Sequence, residues 1–151
     1  VDIIAGPDSP LVAQWVASRI DGIQGLPGGF EALGVVDSKG DLRGGVIYTN
    51  YQKCHPTGGN IEMWAAGEGN WLTRTVIHRL FAYPFVQLDC HRITLKVAKS
   101  NKPTRRFVKH LGFKEEGTHP EALGPGRDMI SYGMLRKDCR WLQEIGHEQE
   151  G

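Results

Sequence analysis

Two stretches of the 151-residue sequence hold residue types spaced for chemistry. In the first, the strand-like run Ile61 to Ala66 leads into Gly67-Glu68-Gly69-Asn70 and then into a helical period. A glycine-bearing loop at a helix N-terminus offers unpaired backbone N–H groups and the positive end of the helix dipole to a phosphate. The segment is therefore a candidate diphosphate cradle, the alternative being glycines that only turn the chain. It matches neither the P-loop, lacking Gly-Lys-Ser/Thr, nor the dinucleotide fingerprint. The second stretch, His91 to Lys114, carries eight Lys or Arg and no acid, while the remainder has ten basic against 17 acidic residues, a net of −7. A basic block on an acidic body suits an anionic ligand, either a phosphorylated cofactor or nucleic acid; a solvated helix face is the other reading.

Other chemistries find little support. No His, Asp or Glu spacing indicates a metal site, and Cys54, Cys90 and Cys139 are widely spaced and odd in number, so free thiols are expected. Cys54-His55 is only an adjacent pair and does not mark a nucleophile.

The elements that must position these stretches follow from hydrophobic periodicity. Ser9-Pro10 places a capping hydroxyl before a proline suited to a first helical turn, and Leu11, Val12, Trp15, Val16 and Ile20 share one face. Phe30 to Val36, Leu42 to Tyr51 and Ile61 to Ala66 read as an antiparallel meander, with a tight turn at Asp37-Ser38-Lys39-Gly40-Asp41. A helix starting at Asn70 carries Leu72, Val76, Ile77, Leu80 and Phe81 until Pro84 interrupts it. Ile93, Leu95 and Val97 alternate with Thr94 and Lys96 as a half-buried strand. Asn101 and Pro103 open a helix that packs through Phe107, Val108 and Leu111 and stops at Gly112. Strands over Phe113 to His119 and Met129 to Leu135, and a terminal helix over Asp138 to Ile145, complete an α/β mixed sheet. With no repeat or linker, residues 1–151 are expected to form a single domain. No apolar run approaches the ~20 residues of a membrane span and no signal peptide is evident, so a soluble, cytoplasmic protein is expected.

Within this frame, Asn101-Lys102-Pro103-Thr104, then Phe107, then Leu111-Gly112-Phe113-Lys114-Glu115-Glu116-Gly117 resembles the GNAT (GCN5-related N-acetyltransferase) superfamily. Its members show an asparagine opening a helix, Ser, Thr or Ala three residues later, and Gly-Phe closing it. Together with Tyr132-Gly133-Met134-Leu135, the stretch looks closest to the branch acting on ribosomal proteins and other protein N-termini. The resemblance runs from about Phe30 to Leu135. A looser likeness to phage-encoded acetyltransferase-like proteins passes through Trp71-Leu72-Thr73-Arg74, Arg92 and Cys139-Arg140-Trp141-Leu142.

The resemblance implies a GNAT fold, mostly antiparallel, whose strands Ile61 to Ala66 and Arg92 to Ala98 splay into a cleft for acetyl-CoA. It implies that backbone groups of Met63, Trp64 and Ala65 meet the pantetheine, and that one N–H stabilises the developing oxyanion. It places the diphosphate at Gly69, Asn70, Trp71 and Leu72, with positive charge from Arg74 or from Lys102, Arg105 and Arg106; Asn101 would meet the pantetheine or its attached phosphate arm, and Thr104 is also implied to bind the cofactor. Glu62, beside the implied thioester site, is the candidate general base for a primary amine acceptor, directly or through water, the alternative being a carboxylate that faces solvent or forms a salt bridge. Many members carry a tyrosine acid where this chain has Val108, so Tyr132 is the candidate substitute, the alternative being a core tyrosine with a satisfied hydroxyl; His55 and His119 could also accept a proton, though surface or packing roles are favoured for both. The loop also lacks the usual leading basic residue, and Glu68 falls near the phosphates.

The expected function is acetyl transfer from acetyl-CoA to an amine without a metal. The alternatives are a catalytically silent acyl-CoA-binding protein and, least favoured, a nucleic-acid module using the basic block with Phe107 and His110. The acceptor is left open, since the loops Gln24 to Gly29, Gln52 to Gly59 and Glu121 to Arg127 carry no recognisable code; a homodimer is also open.

Overall fold

The computed structural model describes residues 2–20 and 29–142. Seven strands form one sheet in the order β1-β2-β3-β4-β5-β7-β6. They are β1 (Asp2–Ile4), β2 (Phe30–Val36), β3 (Leu42–Lys53), β4 (Gly59–Gly67), β5 (Arg92–Ala98), β6 (Lys114–His119) and β7 (Met129–Leu135). All neighbours are antiparallel except β4 and β5, joined in parallel through the crossover helix α2 (Arg74–Ala82). The expected mixed, mostly antiparallel sheet is what forms. The short β1 was not legible; three residues carry too little pattern.

The pleat sorts side chains by parity, and the two faces differ in kind. On one face Val46, Tyr48, Ile61, Met63, Ile93, Leu95, Ile130 and Tyr132 meet α2 and α3 (Lys102–Leu111) in the main core. On the other face α1 (Ser9–Arg19) covers only the β2–β4 half, through Val12, Ala13 and Val16 against Ala32 and Ile47. The β5–β7 half of that face is left polar.

Local chemistry explains where elements start and stop. Ser9 is not a cap: its hydroxyl donates to the Ala32 carbonyl at 3.1 Å and so ties the first turn of α1 to β2. Helix α2 starts at Arg74 rather than Asn70, because the Thr73 hydroxyl accepts from the Val76 amide. Trp71 is thereby freed to lie flat on the backbones of Gly44 and Gly67; a Cβ on Gly67 would sit 2.0 Å from its indole nitrogen. Pro84 does not end the helical path. Its missing N–H leaves the Leu80 carbonyl without a helical donor, and the buried Tyr48 hydroxyl donates to that carbonyl at 2.8 Å. The chain then continues as a π-type turn over Tyr83–Gln87. Helix α3 follows expectation: Asn101 accepts from the Thr104 amide, and Gly112 adopts φ +112° past the last turn. Near the C-terminus a 3₁₀ turn spans Arg136–Asp138 and helix resumes at residue 140; the rest of the expected terminal helix lies outside the described residues, as does most of the Gln24 to Gly29 loop.

Candidate active site

The cleft begins where the parallel pairing of β4 and β5 stops. β4 and β5 are paired from Asn60↔Arg92 to Met63↔Leu95, yet β4 runs on to Gly67 and β5 to Ala98 without further pairing between them. The two strands therefore splay beyond Met63. On its other edge β4 stays paired with β3 up to Gly44↔Gly67, and the Glu68 amide donates to the Arg43 carbonyl. Backbone groups alternate sides along a strand, so those of Trp64 and Ala66 face β3, while those of Ala65 and Gly67 face the cleft. This corrects the expectation for Trp64, whose backbone belongs to the β3 ladder and whose side chain packs toward α1. Met63 sits at the last rung, with its side chain buried in the main core.

Both helix N-termini lie at the C-terminal ends of the splayed strands, as chain order requires after two parallel strands. At the first, Gly69 adopts φ +64°, Asn70 is exposed, Leu72 packs against the core, and Arg74 is exposed in the opening turn of α2. Thr73 caps only Val76, which leaves the Arg74 and Thr75 amides open, the feature an anion needs. Glu68 is drawn to Arg19 of α1, 3.2 Å away, which partly neutralises the acid that the sequence sets beside this loop. The Arg43 guanidinium lies over Gly69, where it brings the positive charge the loop lacks in sequence. Nothing local announces Arg43; the β3–β4 register delivers it.

At the second N-terminus Asn101 and Thr104 form the cap of α3. Arg105, expected to contact the cofactor, is engaged elsewhere. Its Nε donates to the Tyr132 hydroxyl at 3.1 Å, one terminal nitrogen to the Lys99 carbonyl at 3.0 Å, and the other to Glu115 at 3.2 Å. That geometry is a clip joining α3 to β7, β6 and the turn after β5. Five of the eight cations of the basic block are similarly engaged: Arg92, Lys96, Lys99, Arg105 and Lys109 pair with carboxylates brought in by the fold.

Glu62 lies on the polar face of β4, 7% exposed. One carboxylate oxygen accepts from the Asn50 amide at 2.6 Å and the other meets the Lys96 ammonium at 3.1 Å. Burial pushes its pKa up, but hydrogen bonds from Asn50, Lys96 and Trp64 and the charge of Lys96 outweigh that, holding it below the ordinary carboxylate range. It is an ionised, well-fixed carboxylate. Asn50 was not singled out by sequence. It holds a left-handed φ of +52° at the irregularity in β3 between Thr49 and Gln52, a conformation asparagine tolerates better than most residues. Lys96 follows Leu95 on β5 and is the first residue past the last β4–β5 rung.

Tyr132 is on the wrong face to join Glu62. It shares a row with Leu95 and Met63, whereas Glu62 shares one with Thr94 and Gly133, so the two side chains leave opposite sides of the sheet. Tyr132 is fully buried and its hydroxyl is held by Arg105, which corrects its expected role as acid. Val108 is buried in the main core. His119 bonds Ser131 at 3.0 Å on β6–β7, and His55 sits exposed in the β3–β4 turn. Beyond Glu62 the polar face continues as Asn60, Thr94 and Arg92, whose guanidinium forms a two-pronged pair with Glu116 lying across Gly133. A concavity of about 720 Å³, lined by Val86, His91, Leu135 and Arg136 among others, lies at the opposite end of β5 and β7 from the cleft. Among the described residues no cluster of His, Cys, Asp or Glu could hold a metal ion, and no helix is long and apolar enough to cross a membrane.

No family model matches the chain. It is similar to YdaF of Bacillus subtilis, named as a candidate ribosomal N-acetyltransferase, with 28% identity over 83 residues, 52% of this chain and 45% of that protein. A similar extent, 79 residues at 32% identity, matches the transcriptional regulator MraZ of Mycobacterium avium, covering 50% of this chain and 55% of that one. The chain thus spans about half the length of the curated relatives it matches. The solved structure of spermidine N-acetyltransferase from Vibrio cholerae, in complex with CoA and spermine, superposes with a TM-score of 0.72 over 91% of this chain and 96% of that one, at 20% identity. The fold is that of the GNAT acetyltransferases.

Proposed function

We propose that the chain moves an acetyl group from acetyl-CoA to a primary amine by direct attack. The observation that carries this reading is the open β4 edge past Met63, with the fixed carboxylate of Glu62 beside it where the polar half of one sheet face begins. The Ala65 and Gly67 backbone groups are free to pair with an extended pantetheine, and an N–H among them can take the developing oxyanion of the thioester. The Arg74 and Thr75 amides, with Arg43, receive the diphosphate. Glu62 anchors the incoming ammonium and passes its proton to water; a carboxylate held ionised is a weak base, so turnover rises with pH as more of the amine is neutral. The names of the similar proteins point to two acceptor classes to try, a ribosomal protein and a polyamine.

Thermal unfolding with acetyl-CoA, CoA and ATP is the first test. A ligand at ~100 times its dissociation constant adds about 2.7 kcal/mol, and both CoA species are expected to stabilise the chain where ATP does not. Stabilisation by neither CoA species removes the reading.

A second reading, a CoA-binding protein without turnover, draws on the buried valine at 108 and the engaged Tyr132 hydroxyl, which leave the thiolate to take its proton from water. Release of free thiol in the presence of amines separates the two. The nucleic-acid reading has the MraZ likeness in its favour, but five of the eight block cations already face carboxylates. Binding that falls steeply with added salt would revive it.

A further inference from the structure

We propose that Lys96 is a self-acetylation site. The inference rests on the acetyl-CoA reading above and adds an acceptor within the chain itself. Three observations meet at one point. Lys96 is the first residue of β5 past the rung where β4 and β5 part, so its side chain leaves from the apex of the cleft. It emerges on the same sheet face as Glu62, and its Nζ lies 3.1 Å from the Glu62 carboxylate, the position an acceptor ammonium would take. Its side chain is 41% exposed, open enough for a thioester to approach. The remaining groups on that carboxylate, Asn50 and Trp64, are donors that keep it ionised and in place.

The step balances without any further reactant. The Lys96 ammonium loses one proton through Glu62 to water, and neutral Nζ attacks the thioester carbonyl. The N–C bond forms as the C–S bond breaks; one proton ends on the departing thiol and the other is released. The product is a neutral amide, so Glu62 loses its internal counter-ion and its carboxylate becomes available to an external ammonium. Modification would thus convert an occupied anchor into a vacant one. Because the amine is tethered at the cleft, its effective concentration exceeds that of any lysine reacting from solution.

The experiment incubates the native chain with acetyl-CoA and follows intact mass and peptide maps over time, beside a heat-unfolded sample, Lys96→Arg and Glu62→Gln. The expected result is one acetyl group per chain on Lys96, at least about tenfold faster than on the turn residue Lys39. Its rate per chain should not depend on protein concentration, and the preference should vanish in the unfolded sample and in Glu62→Gln. Lys96→Arg should keep the pair with Glu62 but gain no acetyl group at that position. Stabilisation by acetyl-CoA with Lys96 acetylated no faster than Lys39 overturns this proposal and spares the acetyltransferase reading; absence of stabilisation overturns both. Since the map is read on the wild-type chain, the result does not depend on either variant folding.

Discussion

On one face of β5, Lys96 meets the buried carboxylate of Glu62; on the other, Arg105 reaches across to Tyr132 and Glu115. Both clusters join a cation of the basic block to a residue that looks catalytic in sequence. Their settings differ. Glu62 stands beside an unpaired strand edge, its partner Lys96 is exposed, and its bonds come from a strand bulge with a left-handed asparagine. Each of the three Arg105 nitrogens already bonds a group within the fold, and Tyr132 has no exposed surface. The lesson is that a polar cluster can be read as chemistry only where the surrounding backbone leaves room for a reactant. An arginine held by a hydroxyl, a carbonyl and a carboxylate is a fastening within the fold.

The contrast breaks most decisively on turnover. Glu62→Gln is expected to lower the rate of thiol release with an amine acceptor by at least about 100-fold while stabilisation by CoA persists, whereas Tyr132→Phe changes the rate only a few-fold. Equal losses in the two variants would place both clusters in one machine.

Next in size is the glycine floor at the end of β4. Gly67→Ala drives a Cβ into the Trp71 indole and should cost about 1–3 kcal/mol, read as a lower melting temperature and altered tryptophan emission. An unchanged melting temperature would mean that Trp71 does not rest there.

A smaller effect sharpens the structural half of the contrast. Tyr132→Phe removes the acceptor of the Arg105 Nε–H and is expected to cost about 1 kcal/mol, but little in an Arg105→Ala background. Additive losses in the double variant would show that the clip is not formed.

The smallest expected effect lies in acid. The Glu62 pKa is lowered in the fold, so its contribution to stability is present above the ordinary carboxylate range and is lost as pH falls through the lowered value. In Glu62→Gln that part of the acid-side slope should disappear from a pH series of unfolding curves. The same series on Tyr132→Phe should retain it.

Much of the frame was legible before any coordinates. The boundaries of β2, β5 and β7 and the caps of α3 match the periodicity and the Asn101 and Gly112 signals, because each depends on neighbours a few residues away. The start of α2 lies four residues beyond the expected Asn70: Leu72 fits the helical period, yet its neighbour Trp71 is claimed by the distant Gly44 and Gly67. Likewise Pro84 reads as a helix end until Tyr48, from another strand, takes up the orphaned carbonyl.

The site divides along the same line. Glycines after a strand, an asparagine before a helix and a block of cations are local facts, and the sequence alone was enough to mark an anion-receiving end on a mixed sheet. It could not say which cations remain for a ligand, because pairing with Glu116, Asp128 and Glu62 depends on how segments 24 or more residues apart in the chain are brought together. Nor could it place Glu62 and Tyr132 on opposite faces, since parity along a strand acquires meaning only when the neighbouring strand is known. The splay past Met63, the turn of Asn50 toward Glu62 and the arrival of Arg43 over Gly69 were decided by tertiary structure, because each is a relation between backbones and not a property of either one.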